Sequence, residues 1–177
     1  MQAIVFLLDA IASFFCALLL LRFMMQAMRV SFAGQFGDFV VRMTNWAVKP
    51  LRRVIPGFGG MDWASLAAAL AIQLLLSIIV IGLTGPGGTA DPGTVALAAI
   101  GFAVRSLLRL AIYILIGAMI LHAVLSWVAP HSPLMRPADQ LTRPILAPIR
   151  RIVPTVSGVD LSPLVAILLL QVVLMFL

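Results

Sequence analysis

Two stretches of this chain carry no charged side chain at all, Trp63 to Ala90 and Leu110 to Pro130. Nothing else constrains the fold as strongly. A helix rises 1.5 Å per residue, so roughly 20 apolar residues cross about 30 Å of hydrocarbon. Hydrophobic residues make up 63% of the chain and charged residues 10%, too little polar surface to cover a soluble core. The chain reads as an all-α membrane protein with four transmembrane helices. The first runs from about 4 to 30 and the second from 64 to 83. The third apolar run, 95–128, is too long for one straight crossing; 106–128 is taken as its span, with Arg105 and Arg109 at the interface. The fourth covers 161–177, and its 17 residues reach about 25 Å, near the lower limit for crossing.

Charge then sets sidedness. Arg29, Arg42, Lys49, Arg52 and Arg53 lie between the first two spans, and Arg136, Arg143, Arg150 and Arg151 between the last two. The positive-inside rule places both basic loops in the cytoplasm and both termini in the periplasm, against the counter-signal of Arg105 and Arg109. In a soluble protein the formal charge of +6 points to nucleic acid. Here the arginines flank spans and no basic soluble domain exists, so nucleic acid is excluded as a partner. The N-terminal apolar stretch lacks a basic n-region and a clear A-x-A site, and reads as a retained helix. Cys16 is the single cysteine, which rules out an intrachain disulfide and a cysteine metal cluster.

Each basic loop contains an amphipathic piece. Phe36, Phe39, Val40, Met43 and Ala47 follow helical spacing, with Asp38, Arg42, Asn45 and Lys49 opposite. After Pro133 the pattern recurs more weakly in Leu134, Ala138, Leu141 and Ile145. Both are expected to lie in the headgroup plane, with Trp46 as an anchor; the alternative is a helix packed on the bundle.

The loops also end alike, in PLRRVIPGFGGMD at 50–62 and PIRRIVPTVSGVD at 148–160. Aligning Thr44–Gln73 with Thr142–Gln171 at an offset of 98 gives eleven identities in thirty positions. Shared apolar composition supplies leucines, but not Pro, Arg-Arg, Pro, Gly and Asp in one register. The chain is therefore a duplication, with a first unit at 1–83, a Gly/Pro linker at 84–94 and a second unit at 95–177. Two spans per unit preserve orientation, giving two parallel helix–loop–helix repeats. Within the cassette, Pro56 and Pro154 stop the preceding helix. Gly60 and Gly158 permit a positive-φ turn, and Asp62 and Asp160 fall where an N-cap belongs.

The arginines Arg52, Arg53, Arg150 and Arg151 carry three readings that do not exclude one another. They are topology signals touching headgroup phosphates, paired sites for an anionic lipid, or braces to Asp62 and Asp160. Arg22, one to two turns inside the first span, is expected to snorkel to the headgroups. Gln73 and Gln171 are repeat partners eleven residues beyond each aspartate, near mid-bilayer. The expectation for them is an interhelical hydrogen bond joining the two units, with a polar lining for an ion path as the alternative.

Three stretches, LRFMMQAMRVSFAGQF, PLRRVIPGFGGMDWASL and LTRPILAPIRRIVPTVSGVDLSPL, resemble the YggT (YlmG) family of small bacterial and plastid membrane proteins carrying one or two copies of this unit. The first copy departs from the pattern in MDWASL, where the second has VDLSPL. The resemblance implies a four-span protein of the bacterial inner membrane. It implies no settled activity; osmotolerance and ion homeostasis, cell division or nucleoid organisation, and assembly of membrane complexes are the roles it brings.

From the residues themselves no enzyme is expected. The chain has no glutamate, HExxH, GxSxG or Walker lysine loop, and His122, His131 and six aspartates do not assemble a dyad or metal site. No catalytic, metal or cofactor residue is assigned. Two classes of function remain. One is a membrane organiser or assembly factor that binds lipid, anionic lipid included, and partner proteins; a homo-oligomer is compatible with it. The other is an ion channel or transporter component for osmotic and cation homeostasis. Interfacial surface outweighs buried polar groups, which favours the first.

Overall fold

The structure, a computed structural model, describes residues 2–32, 34–84, 91–153 and 160–177. The helices are α1 (Gln2–Ala27), α2 (Gln35–Leu51), α3 (Trp63–Thr84), α4 (Pro92–Val128), α5 (Met135–Arg150) and α6 (Ser162–Phe176). Among the described residues there is no strand beyond one bridge between Phe58 and Met61.

The ends follow local chemistry. The chain leaves α1 through Arg29, whose φ of 54° lies in the left-handed region. The N–H of Val30 then turns back to the Met25 carbonyl at 2.7 Å, satisfying an orphan acceptor of the helix end. At the start of α4 the Asp91 carboxylate accepts the N–H groups of Gly93 and Thr94, with Pro92 in the first turn. The helix therefore begins inside the segment that the sequence assigns to the linker.

α1, α3 and α4 are long and apolar enough to cross a membrane. α6 is equally apolar, but its 15 residues reach only about 22 Å. The sequence expects a crossing of 17 residues there; the observed helix is two shorter, because Leu161 precedes it and Leu177 lies beyond its end. α4, at 37 residues, extends about 55 Å.

Packing radiates from α1 and α4. Cys16, Leu19 and Leu20 of α1 meet Ala64, Ala68 and Ala69 of α3 and Leu107 of α4. The alanines let the helices approach closely, which supplies dispersion contact where lipid offers no hydrophobic drive. Met24, Met25 and Val30 gather with Leu141 of α5, flanked by Ile114 and Ala118. Met119, Leu146 and Ala166 bind α4, α5 and α6 together. α2 buries Val40, Thr44, Ala47 and Val48. α5 buries Ala138, Leu141, Thr142 and Leu146. Phe39, expected on the apolar stripe, is exposed, as is Trp46. The repeat partners Thr44 and Thr142 are used alike: each hydroxyl donates to the carbonyl four residues back, Val40 at 2.6 Å and Ala138 at 2.8 Å.

Candidate functional site

The most elaborate polar arrangement lies where α1, α2 and the turn before α3 meet. Asp62 immediately precedes α3, and its backbone carbonyl accepts the Ser65 N–H at 3.0 Å, as the residue before a helix should. Its carboxylate is used differently from the capping role the sequence gives it. Oδ2 receives Arg22 Nε at 3.2 Å, Arg52 Nη2 at 2.6 Å and the Ser65 hydroxyl at 2.7 Å, while Oδ1 receives Arg52 Nε at 3.2 Å. The carboxylate thus stands between two guanidinium groups, with Arg52 bidentate, the strong geometry for such pairs.

Arg22 does not snorkel. It is buried, and its Nη1 donates to the Thr44 hydroxyl at 2.7 Å and to Asn45 Oδ1 at 3.1 Å. A charge this deep persists only when paired and hydrogen-bonded. Burial by itself pushes the Asp62 carboxyl up. Hydrogen bonds from Arg52 and Ser65 and the charges of Arg52 and Arg22 outweigh it and hold the group below the ordinary carboxylate value.

The second unit repeats this arrangement in reduced form. Arg150 Nε reaches Asp160 Oδ2 at 2.8 Å, and the Asp160 Oδ1 accepts the Ser162 N–H at 2.9 Å. Asp160 sits one residue ahead of the cap position, which Leu161 occupies, and Pro163 falls in the first turn of α6. Its carboxyl is again lowered: burial raises it, but contacts from Ser162 and Arg150 prevail. No arginine reaches it from α4. There His122 is buried, with Nε2 3.4 Å from Asp139 Oδ1 and Nδ1 without a partner among the described residues.

Arg52 and Arg150 are thus braces to Asp62 and Asp160, while Arg53 and Arg151 are exposed, with no side-chain partner among the described residues. Pro56 lies five residues past the end of α2, so it does not itself end that helix; Pro50 is accommodated within it. Gly60 turns with φ 75° beside Gly59 at 67°. Pro154 and Gly158 lie outside the described residues.

The two glutamines part company. Gln73 is buried and accepts the Cys16 thiol at 3.7 Å, a contact within the first unit, whereas Gln171 is exposed. The expected hydrogen bond between units is absent from this pair, because Gln73 faces Cys16 on α1 while Gln171 stands exposed on α6. The sequence also gives Gln73 no acidic neighbour. The structure supplies one: a cleft of about 250 Å³ is lined by Asp9, Gln73, Ser77 and Ser106 from three helices. Helix packing alone brings them together, so no spacing signal could have found them. Among the described residues no three His, Cys, Asp or Glu side chains converge as metal ligands.

A family model described as CCB3/YggT matches residues 1–83 and 101–177, two segments that fit tandem copies. The chain is 36% identical over 173 residues to an uncharacterized protein of Pseudomonas aeruginosa, covering 97% of this chain and 86% of the relative. It is 34% identical over 174 residues to the uncharacterized protein YggT of Escherichia coli K12, covering 98% and 88%. A Vibrio alginolyticus protein encoded in the proC 3′ region is 34% identical over 174 residues, covering 97% and 91%. No solved structure matches.

Proposed function

The chain belongs to the CCB3/YggT family, and from that premise we propose a non-enzymatic inner-membrane protein that organises lipid and partner proteins at its basic-loop face. One observation carries the reading. In both cassettes the free arginine stands beside a large apolar side chain held out from the fold: Arg53 beside Val54, 81% exposed, and Arg151 beside Ile152, 83% exposed. A cation next to a protruding aliphatic group meets a phosphate layer over hydrocarbon. Exposed Phe39, Trp46 and Phe58 extend the same surface.

In this reading α6 completes a fourth crossing, the bilayer thinning or the flanks snorkelling to fit it. The two units then stand alike in the membrane, basic loops in the cytoplasm and termini in the periplasm. The test is charge reversal, Arg53→Glu with Arg151→Glu, followed by mass-spectrometric measurement of the lipids retained on purification. A loss of anionic-lipid enrichment is expected; unchanged enrichment overturns the reading.

The cleft of Asp9, Gln73, Ser77 and Ser106 favours a second reading, a component of ion transport. Its repeat partner Gln171 stands exposed. Cation flux into liposomes that Gln73→Leu abolishes would establish transport and remove the organiser.

A further inference from the structure

Three adjoining hollows open where the two units meet on the basic-loop face. The first, about 650 Å³, is walled by His131, Ser132, Arg136 and Gln140, with Ser31 facing from the first unit. The second, about 660 Å³, shares Ser31, Ser132, Pro133 and Pro137 with it and passes between the starts of α2 and α5. The third, about 170 Å³, shares Phe36, Leu134 and Pro137 with the second and rises between α1, α4 and α5, against Leu21, Ile114 and Gly117. Its described walls are wholly apolar.

The order of these hollows follows the helix axis. Pro130 and His131 lie just beyond the end of α4, and Gly117 lies thirteen residues back along the chain from Pro130, about 20 Å inward. The space is polar and basic at the mouth and aliphatic in depth. Local sequence creates it. Pro130, Pro133 and Pro137 line the mouth, where the chain turns through the backbone bonds from the Ser132 N–H to the Ala129 carbonyl and from the Met135 N–H to the Ser132 carbonyl, both 3.0 Å. Gly117 leaves the groove unfilled: a Cβ added there meets nothing within 4 Å. No acidic residue is among the described lining residues of the three hollows.

We propose that these adjoining hollows together bind one phospholipid, its phosphate at Arg136 with His131, Ser132 and Gln140, and an acyl chain in the groove beside Gly117. A guanidinium with further donors around it suits a phosphate, and the absence of carboxylates among the described lining residues favours a headgroup of net negative charge. A free phosphate has no use for the apolar groove, and an apolar guest has none for the arginine. The inference rests on the proposed lipid-facing role of the basic loops, but on different residues. Arg53 and Arg151 meet the bulk headgroup layer, whereas Arg136 and Gly117 hold a single molecule between the units.

The experiment is native mass spectrometry of the full chain released from detergent after exchange into phosphatidylglycerol and phosphatidylethanolamine. The unmodified protein is expected to retain one phospholipid, phosphatidylglycerol in preference. Arg136→Gln lowers that occupancy about tenfold, the loss of a charge-assisted contact. Gly117→Leu fills the groove and lowers it comparably, and Gly117→Ala does so in part should leucine disturb folding, which circular dichroism checks. Arg53→Gln with Arg151→Gln leaves the single bound lipid in place, even where it abolishes general anionic enrichment. Full occupancy in both the Arg136 and Gly117 variants overturns the proposal, as does loss that follows the Arg53 and Arg151 pair instead. Displacement of the lipid by inorganic phosphate, with indifference to Gly117→Leu, overturns it in favour of a simple anion site.

Discussion

Arg22 and Asp62 are separated by forty residues in the chain and by 3.2 Å in the fold, and both are buried. The pair ties the C-terminal part of α1 to the start of α3, and Arg52 closes it from the surface side at 2.6 Å. Asp62→Ala leaves a buried guanidinium without its counter-charge, and about 3–5 kcal/mol of destabilisation is expected. Replacing both partners, Arg22→Met with Asp62→Leu, should recover much of that loss, since apolar groups of similar size need no counter-ion. A double-mutant cycle on unfolding midpoints in detergent checks this; equal and additive losses would contradict it.

Acid should unfasten the same point. The Asp62 carboxyl is held below its ordinary value of 3.8, so folding favours the ionised form. The stability this confers is fully present above that ordinary value and is lost as pH falls through the lowered one. A midpoint that is level above about pH 5 and declines below pH 4 is expected. Asp62→Asn should start lower and lose most of that decline, leaving the smaller contribution of Asp160, also lowered and only half-buried. Thermal scans of both proteins against pH decide it.

Gly60 and Gly82 make a matched pair of opposite sign. An added Cβ meets nothing within 4 Å at either position, so only the backbone differs. Gly60 has φ 75°, and Gly60→Ala should cost about 1–2 kcal/mol. Gly82 lies within α3, and Gly82→Ala should stabilise by up to about 1 kcal/mol. A gain of stability at both positions would contradict the turn geometry.

The glutamines should respond unequally. Gln73→Leu removes a buried contact to Cys16 and is expected to cost about 0.5–1.5 kcal/mol. Gln171→Leu alters an exposed position and should stay within about 0.5 kcal/mol of the parent. Midpoints of the two single variants, measured side by side, test the asymmetry directly.

The extent of the helices was legible because it is written locally. Uncharged runs and the glycines before Asp62 act within a turn or two of themselves, whereas the Asp91–Pro92 start of α4 lies in the stretch the sequence assigns to the linker. The role of Arg22 was not legible, because snorkelling and pairing look alike until the antiparallel approach of α1 and α3 brings Asp62 within reach. The duplication misled in one respect. It equates Gln73 with Gln171, but equal residues share an environment only where equal neighbours cover them, and α1 covers α3 far more completely than any helix covers α6. The Gly117 hollow escaped for the opposite reason: it is made of what side chains leave vacant.

α4 has a further consequence. Its N-terminal half lies along α3, its middle touches α1, and its C-terminal half carries α5 and α6. Two copies that arose as separate lengths of chain therefore share one stiff spar. Whatever tilts that spar moves the parts of both copies packed against it together.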